Sequence, residues 1–133
     1  MQVKKVSEIE IAFRDEPGTY QRVVRILAEA NIDGIAFTAW VREEQGHISL
    51  ITEDNQRARA VLEKAGFTVT ERPAVVVIDV NRIGSAAEIS RRIAASGINL
   101  TEAYATAVGD EYMTVLRSED IEELYRALCA PPE

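Results

Sequence analysis

Hydrophobic and polar positions alternate with two different periods in the first half of this chain. Residues 8–13 alternate between polar or small residues and large apolar ones, which predicts a half-buried β-strand. From Tyr20 to Ala30, apolar residues recur every three or four positions, which is the spacing of a helix with one buried face. Two apolar stretches follow, residues 32–41 and 47–52, and the polar turn between them predicts a strand hairpin.

The remaining residues of the first half complete one structural unit. Asp54 is a good helix N-cap, and the apolar stripe that follows it stops at Gly66, a typical residue for a helix end. Phe67–Glu71 is predicted as a short fourth strand. The resulting order, β-α-β-β-α-β, is the ferredoxin-like arrangement, an antiparallel sheet with both helices on one face.

The chain then repeats itself at an offset of 66 residues without a gap, for example in Pro17-Gly18-Thr19 and Ile83-Gly84-Ser85. A duplicated pattern indicates two copies of one unit. We therefore predict an α+β chain with two tandem ferredoxin-like units, residues 1–72 and residues 73–133. In the second copy, Ser85-Ala86-Ala87-Glu88 has the form of a capping box and marks the start of a helix.

The second unit lacks its fourth strand. Position 133 corresponds to Phe67, where that strand should start, and Pro131-Pro132 cannot donate the amide hydrogen bonds of a sheet. Open sheet edges are usually covered or paired. We expect Phe67–Glu71 of the first unit, or a partner chain, to cover this edge.

The first strands of the two units differ on the face that points away from the helices. Glu8 and Glu10 occupy this face in the first unit, and Ala74 and Val76 occupy it in the second. An apolar outer face is unusual unless something packs on it. The contrast favours dimerisation or sheet-on-sheet packing.

Composition excludes several classes of function. The net charge of −7 and the absence of a basic face argue against nucleic-acid binding. No apolar run approaches the roughly 20 residues of a membrane span, and no signal-peptide pattern opens the chain, so a cytoplasmic protein is expected. A single cysteine, Cys129, rules out an intramolecular disulfide, and with only one histidine, His47, no metal or cofactor site is expected.

Two motifs resemble the ACT domain, in which a strand ends in an acidic-x-Pro-Gly turn and the next helix closes in a Gly-Ile-Asn-like signature. The first unit has the turn, Asp15-Glu16-Pro17-Gly18, but carries Asn31-Ile32-Asp33 in place of the signature. The second unit has the signature, Gly97-Ile98-Asn99, but its turn, Asn81-Arg82-Ile83-Gly84, lacks the proline. The resemblance covers nearly the whole chain as two tandem copies, with no enzyme domain in these residues.

The resemblance implies a non-catalytic sensor of small molecules, mostly amino acids, that pairs side by side as a homodimer and regulates an enzyme of amino-acid metabolism. It places the ligand between the turn of one unit and the strand-two residues of its neighbour. The turn residues expected in the site are Asp15, Glu16, Pro17, Gly18, Thr19, Asn81, Arg82, Ile83, Gly84 and Ser85. The strand-two residues expected there are Ile32, Asp33, Ile98, Asn99 and Leu100.

Elementary chemistry supports such a site. Gly18 and Gly84 allow close approach of a ligand to the backbone, and each turn leads into a helix start whose free amides and positive dipole end favour a carboxylate. Ser85 could add a hydroxyl hydrogen bond, and Asp33 could accept from an ammonium group. Asn99 both donates and accepts, so it could grip both charged ends of an amino acid.

Two other classes of function stay open. The chain could be an assembly module whose sheets only dimerise, without a ligand. It could also be an enzyme, since acylphosphatase shares the element order and uses an arginine of the first turn with an asparagine, a role for which Arg14 or Arg82 is available. No base–nucleophile pair is evident, however, and catalysis would leave the duplication unexplained.

Overall fold

The computed structural model describes residues 1–131, and these contain six strands and four helices. In chain order the elements are β1 (Gln2–Arg14), α1 (Thr19–Glu29), β2 (Gly34–Arg42), β3 (Gln45–Thr52), α2 (Asn55–Lys64), β4 (Val69–Val80), α3 (Ser85–Ala95), β5 (Leu100–Val108), β6 (Glu111–Ser118) and α4 (Ile121–Cys129). The predicted α+β class with a repeated ferredoxin-like order is confirmed. β4 is one long strand that closes the first repeat and opens the second, where the sequence predicted two short strands.

The chain divides into two compact units. Ser7–Arg72 forms the first, here called the N-unit. Met1–Val6 joins the chain from Pro73 onward to form the second, here called the C-unit. The division therefore differs from the predicted range 1–72 in the first six residues, which belong with the C-unit.

In the N-unit the strands lie in the order β2-β3-β1-β4, and β1 and β2 both pair antiparallel with β3. Every second residue of a strand points to the same face. On the face towards the helices, these residues are apolar. Residues of the strands and of both helices form one core: Ile9, Ile11, Val23, Leu27, Ile32, Ile48, Leu50, Ala58, Leu62 and Val69.

In the C-unit the strands lie in the order β1-β4-β6-β5, and β4 and β5 both pair antiparallel with β6. Helices α3 and α4 complete its core, which consists of Val75, Val77, Ile89, Ile93, Leu116, Leu124 and Leu128. β5 lies at one edge of this unit, and the segment 2–6 of β1 lies beside β4.

The N-terminal segment takes the place of the missing fourth strand of the C-unit. Val3 packs against the C-unit core. Lys5 Nζ donates to Glu122 Oε1 (3.0 Å) and lies 5.1 Å from the ring centroid of Tyr125. The chain thus has no strand after α4 within the described residues, as predicted, but the expectation that Phe67–Glu71 covers the edge is wrong. Phe67 instead packs against the N-unit core.

On the sheet face that points away from the helices, several residues of each unit are withdrawn from solvent. Ala74 and Val76 are buried, and so is Glu8, which the alternating pattern had placed on a polar face. On the same face of β6, Arg117 Nη2 donates to Glu102 Oε2 (2.6 Å), and this ion pair is largely withdrawn from solvent.

The start of α3 differs from the predicted capping box. Gly84 is the N-cap residue and Ser85 is the first helical residue. The Ser85 hydroxyl donates to the Val80 carbonyl oxygen (2.7 Å), and no side chain caps the helix. Glu88 does not reach back to the helix start because it accepts hydrogen bonds from Arg91 and Arg92.

Arg92 ties the two C-unit helices together. Its Nε atom donates to Glu88 Oε1 (3.1 Å) on α3. Its Nη1 atom donates to the carbonyl oxygens of Leu128 (3.1 Å) and Ala130 (2.7 Å) at the end of α4. The last carbonyls of a helix have no partner within it, so this guanidinium satisfies groups that α4 would otherwise leave open.

The placement of the N-terminal segment can be tested with Val3→Asp. A carboxylate at this partly buried position should lower the free energy of unfolding by about 2 kcal/mol. Lys4→Asp is the matched control, because Lys4 is exposed on the same segment and should change stability by less than about 0.5 kcal/mol. Urea unfolding followed by circular dichroism measures both. Equal effects in the two variants would contradict this placement of the strand.

The Glu88 pairing predicts a pH dependence. Hydrogen bonds from Arg91 and Arg92 lower the pKa of Glu88 from 4.5 to about 2 in the folded chain. A lowered folded-state pKa stabilises the fold above pH 4.5, and this contribution is lost as the pH falls towards 2. Glu88→Gln should therefore lower Tm at neutral pH, and the difference from the parent should shrink to nothing near pH 2. A Tm difference that stays constant down to pH 2 would exclude the pairing.

Candidate ligand site

The two glycine turns precede α1 and α3 in the same way. Gly18 (φ +89°) and Gly84 (φ +99°) are the N-cap residues, both in the left-handed region that favours glycine. Neither helix has a side-chain cap. A Cβ atom at Gly18 or Gly84 would meet no atom within 4 Å, so both turns are open. Each helix start therefore presents amides and a positive dipole end to an approaching anion.

The two turn hydroxyls are used locally. Thr19 Oγ1 donates to the Glu16 carbonyl oxygen (3.3 Å), and Ser85 is buried with its hydroxyl bonded to Val80. A ligand would have to displace these bonds to use either hydroxyl. The Thr19 and Ser85 N–H groups also donate within the turns, to the carbonyl oxygens of Glu16 (3.5 Å) and Arg82 (3.2 Å), so the donors that the turns offer are the amides of the next helical residues.

Each turn is fastened to the hairpin beside it. In the C-unit, the Asn81 backbone N–H donates to the Asp110 carbonyl oxygen (2.8 Å), and Asn81 Nδ2 donates to that of Gly109 (3.0 Å). In the N-unit, the Asp15 N–H donates to the Glu44 carbonyl oxygen (3.3 Å). Asn81 therefore has a structural role, which leaves its side-chain oxygen as the group that a ligand could approach.

The tip of the C-unit turn is exposed. Ile83 is fully exposed and Arg82 is also exposed. Glu16 and Pro17 are exposed at the corresponding tip of the N-unit. These residues are available for contact with a ligand or with another chain.

The strand-two signatures lie at the other end of the helices. α1 and α3 have 11 residues each, so roughly 16 Å separates their ends at 1.5 Å per residue. Gly97 (φ +70°) and Asn31 (φ +57°) end the two helices in the left-handed conformation. Ile32 is buried in the N-unit core, and Ile98 packs against the C-unit core. The first two signature positions thus terminate the helix and anchor it.

The third signature position opens into a polar hollow. In the C-unit the hollow has a volume of about 310 Å³, with Asn99 on one side and Glu119, Asp120 and Glu123 on the other. Asp120 also caps α4 through a hydrogen bond from the Glu123 N–H (3.0 Å). Asn99 and the three carboxylates supply oxygen acceptors and negative charge, which makes this hollow suitable for an ammonium group.

The N-unit has a corresponding hollow of about 480 Å³ beside Asn31, Asp33 and Glu53. Asp33 stands there in place of the Asn99 amide. The Asp33 N–H donates to Glu53 Oε1 (3.2 Å), and the Glu53 N–H donates to the Asp33 carbonyl oxygen (3.1 Å). The two hollows are therefore chemically different.

The sequence prediction included Asp33 but not the other acidic residues of these hollows, which are Glu53, Glu119, Asp120 and Glu123. Glu53-Asp54 and Glu119-Asp120 recur at the repeat offset, and the end of the third strand lies beside the start of the second in each unit. Combining the repeat with the hairpin register would have identified them. Within one unit, the turn and the hollow do not come together.

The sequence matches the model of the ACT domain pair over residues 1–130, so the chain belongs to the ACT domain pair family. A search of curated proteins finds no significant match. None of the helices in the described chain is long and apolar enough to cross a membrane, and no cluster of metal-ligating side chains occurs among residues 1–131.

Solved structures share the fold over almost the whole chain. Protein BT0572 from Bacteroides thetaiotaomicron has a TM-score of 0.88 at 21% identity, covering 95% of this chain and 88% of its own. The ligand-free regulatory subunit of aspartate kinase from Thermus thermophilus has a TM-score of 0.69 at 19% identity, covering 95% and 93%. The regulatory subunit of aspartate kinase from Thermus flavus has a TM-score of 0.58 at 19% identity, covering 96% of this chain and 95% of its own.

The conformation of the turn glycine predicts the effect of its replacement. Gly84→Ala should lower the free energy of unfolding by about 1 kcal/mol, because an L-residue is strained at this φ although no atom obstructs its Cβ. Gly84→Asn should cost less, since asparagine tolerates the left-handed region better. Chemical denaturation measures both. Equal stability of Gly84→Ala and the parent would contradict the assigned conformation.

Proposed function

We propose that this chain is a non-catalytic regulatory protein that binds an amino acid or a similar small metabolite between two copies of itself. The main support for this proposal is the presence of two complementary subsites in the C-unit. The uncapped start of α3 at Gly84 suits a carboxylate, and the acidic hollow beside Asn99 suits an ammonium group. These are the two charged ends of an amino acid.

The separation of the subsites supports a shared site. About 16 Å of helix lies between them, whereas the charged groups of an α-amino acid are only a few ångströms apart. One copy therefore cannot use both subsites on one ligand molecule. The turn of one copy and the hollow of its neighbour can, which is the arrangement that the ACT resemblance implies.

Exposed apolar side chains along the outer strands support a homodimer. Ile35 and Val41 on β2, and Val108 on β5, are all more than half exposed. Edge strands with such side chains are ready to pair with another chain. We propose that ligand binding alters this pairing, in the cytoplasm, and thereby the activity of an enzyme of amino-acid metabolism. The Thermus thermophilus protein of the same fold is the regulatory subunit of such an enzyme.

A ligand-free assembly module is the second candidate function. It is favoured by the structural use of several predicted site residues, namely the Ser85 hydroxyl, the Asn81 amide and the buried Ile32. An enzyme of the acylphosphatase kind is not proposed. Asn81, the asparagine beside Arg82, already uses its amide nitrogen in a hydrogen bond to the Gly109 carbonyl oxygen.

A thermal-shift screen against the twenty amino acids, with oligomeric mass measured in parallel, tests the proposal. A ligand at 100 times its Kd should stabilise the parent chain by about 2.7 kcal/mol. Gly84→Val should abolish this shift by blocking the turn. Gly66→Val is the matched control. Gly66 has a similar positive φ (+97°), and a Cβ atom there would also meet open space, but Gly66 lies in neither subsite. It should cost similar stability and keep the shift.

Three outcomes separate the candidate functions. A selective shift that Gly84→Val removes and Gly66→Val retains supports the ligand site. A shift that survives in both Gly18→Val and Gly84→Val contradicts the site. A flat panel with a stable dimer favours the assembly module.

A further inference from the structure

A second recess lies along α3, from Ala86 in its first turn to Ile93, and Leu100 lines both this recess and the polar hollow. It is a groove of about 250 Å³ in the C-unit, between α3 and the edge strand β5. Ala103 and Ala105 of β5 face it, opposite Leu116 and Thr114 in the strand register. Ala86 lines it from α3. The groove exists because these alanines are too short to fill the space between the helix and the strand.

The N-unit shows what fills the same space. At the repeat offset, Ala103 corresponds to Phe37 and Ala86 corresponds to Tyr20. Phe37 packs against the N-unit core, with its ring against the backbone of Gly34. An aromatic ring of the chain itself thus closes this position in one unit, and the other unit leaves it open.

Leu100, which corresponds to Gly34, does not fill the space that the alanines leave open. It is 38% exposed, and it lines the groove instead of filling it. The groove is therefore a real difference in shape between the two copies, of a size that accommodates a ring, since an apolar cavity of about 150 Å³ already holds benzene.

Thr114 gives the groove one polar contact. Its side chain is withdrawn from solvent, with 7% of the residue exposed, and its Oγ1 atom has no hydrogen-bond partner among residues 1–131. The corresponding residue of the N-unit is Ile48, a core residue. A buried hydroxyl without a partner is unfavourable, and a ligand atom that bonds to it removes the penalty.

We propose that this groove binds an uncharged aromatic ring with one hydrogen-bonding substituent, such as the phenol ring of a small aromatic metabolite. The ring occupies the place that Phe37 takes in the N-unit, and its polar atom bonds to Thr114 Oγ1. Ala86 and Ala103 are exposed at the mouth, so a charged tail on the ligand can stay in water. Ala103 and Thr114 lie outside the proposed amino-acid subsites, although Leu100 lines both the groove and the polar hollow.

Titration of the full chain with p-cresol and with toluene, followed by NMR, tests the proposal. The two probes share a ring and a methyl group, and only p-cresol carries a hydroxyl. Ala103→Phe should abolish binding of both, because it supplies the ring that the N-unit already carries. Thr106→Phe is the matched control and should bind normally, because it adds the same ring to the opposite face of β5.

Thr114→Val isolates the hydrogen bond and keeps the shape. It should weaken p-cresol binding by about threefold to tenfold and leave toluene binding unchanged. It should also raise Tm, because the unpartnered hydroxyl is gone. Gly84→Val should not change p-cresol binding, so failure of the amino-acid site and failure of this groove are distinguishable.

Parallel titrations with L-tyrosine and L-phenylalanine identify the source of the ring. Binding of L-tyrosine with the same variant pattern supports an amino acid, and binding of p-cresol alone supports an aromatic without the amino-acid group. Equal p-cresol binding in the parent and Ala103→Phe, or equal losses of both probes in Thr114→Val, would overturn the proposal. The proposal would also be overturned if the chain bound neither probe but self-associated, and if Ala103→Phe abolished this self-association. The occupant of the groove would then be a second copy of the chain.

Discussion

The division of β1 between the two units is the constraint on which the rest of the fold depends. Ser7–Arg72 contains every element of its own unit, but residues 73–131 provide only three of the four strands that the C-unit needs. Val3 and Lys5 complete that unit from the other end of the sequence. Units of about 65 residues bury a modest core, so the C-unit gains a necessary strand only when both ends of the chain have come together.

This dependence also explains which parts of the fold could be predicted. Periodicity identified the helices and the inner strands because their apolar positions follow the periods of the two structures. It did not extend β1 back to Gln2, because Lys4 and Lys5 interrupt the alternation of residues 2–7. It also placed Glu8 on a polar face, where the structure buries it. Burial of that face depends on tertiary packing, which a local pattern does not contain.

The turn glycines of the candidate site were predictable from the sequence, but the carboxylates of the hollows were largely not. Gly84 and Gly97 were identified correctly as special positions, and the structure gives each a backbone reason, since both adopt positive φ at a helix end. Such a reason holds with or without a ligand. The carboxylates of Glu119 and Glu123 line the C-unit hollow. Glu119 follows β6 and Glu123 lies in α4, whereas Asn99 precedes β5. They are recognisable only when the strand register brings them beside Asn99.

The differences between the two copies are therefore more informative than their similarities. Phe37 and Ile48 show that this backbone accepts a filled and fully apolar position. At the same places, Ala103 and Thr114 leave a groove and a buried hydroxyl that has no hydrogen-bond partner in the described part of the chain. An unfilled apolar space and an unsatisfied polar atom both reduce stability, and departures of this kind from good packing are expected at functional sites. The C-unit is thus the copy that carries the features of a binding site, and the N-unit is the copy in which packing satisfies the same positions.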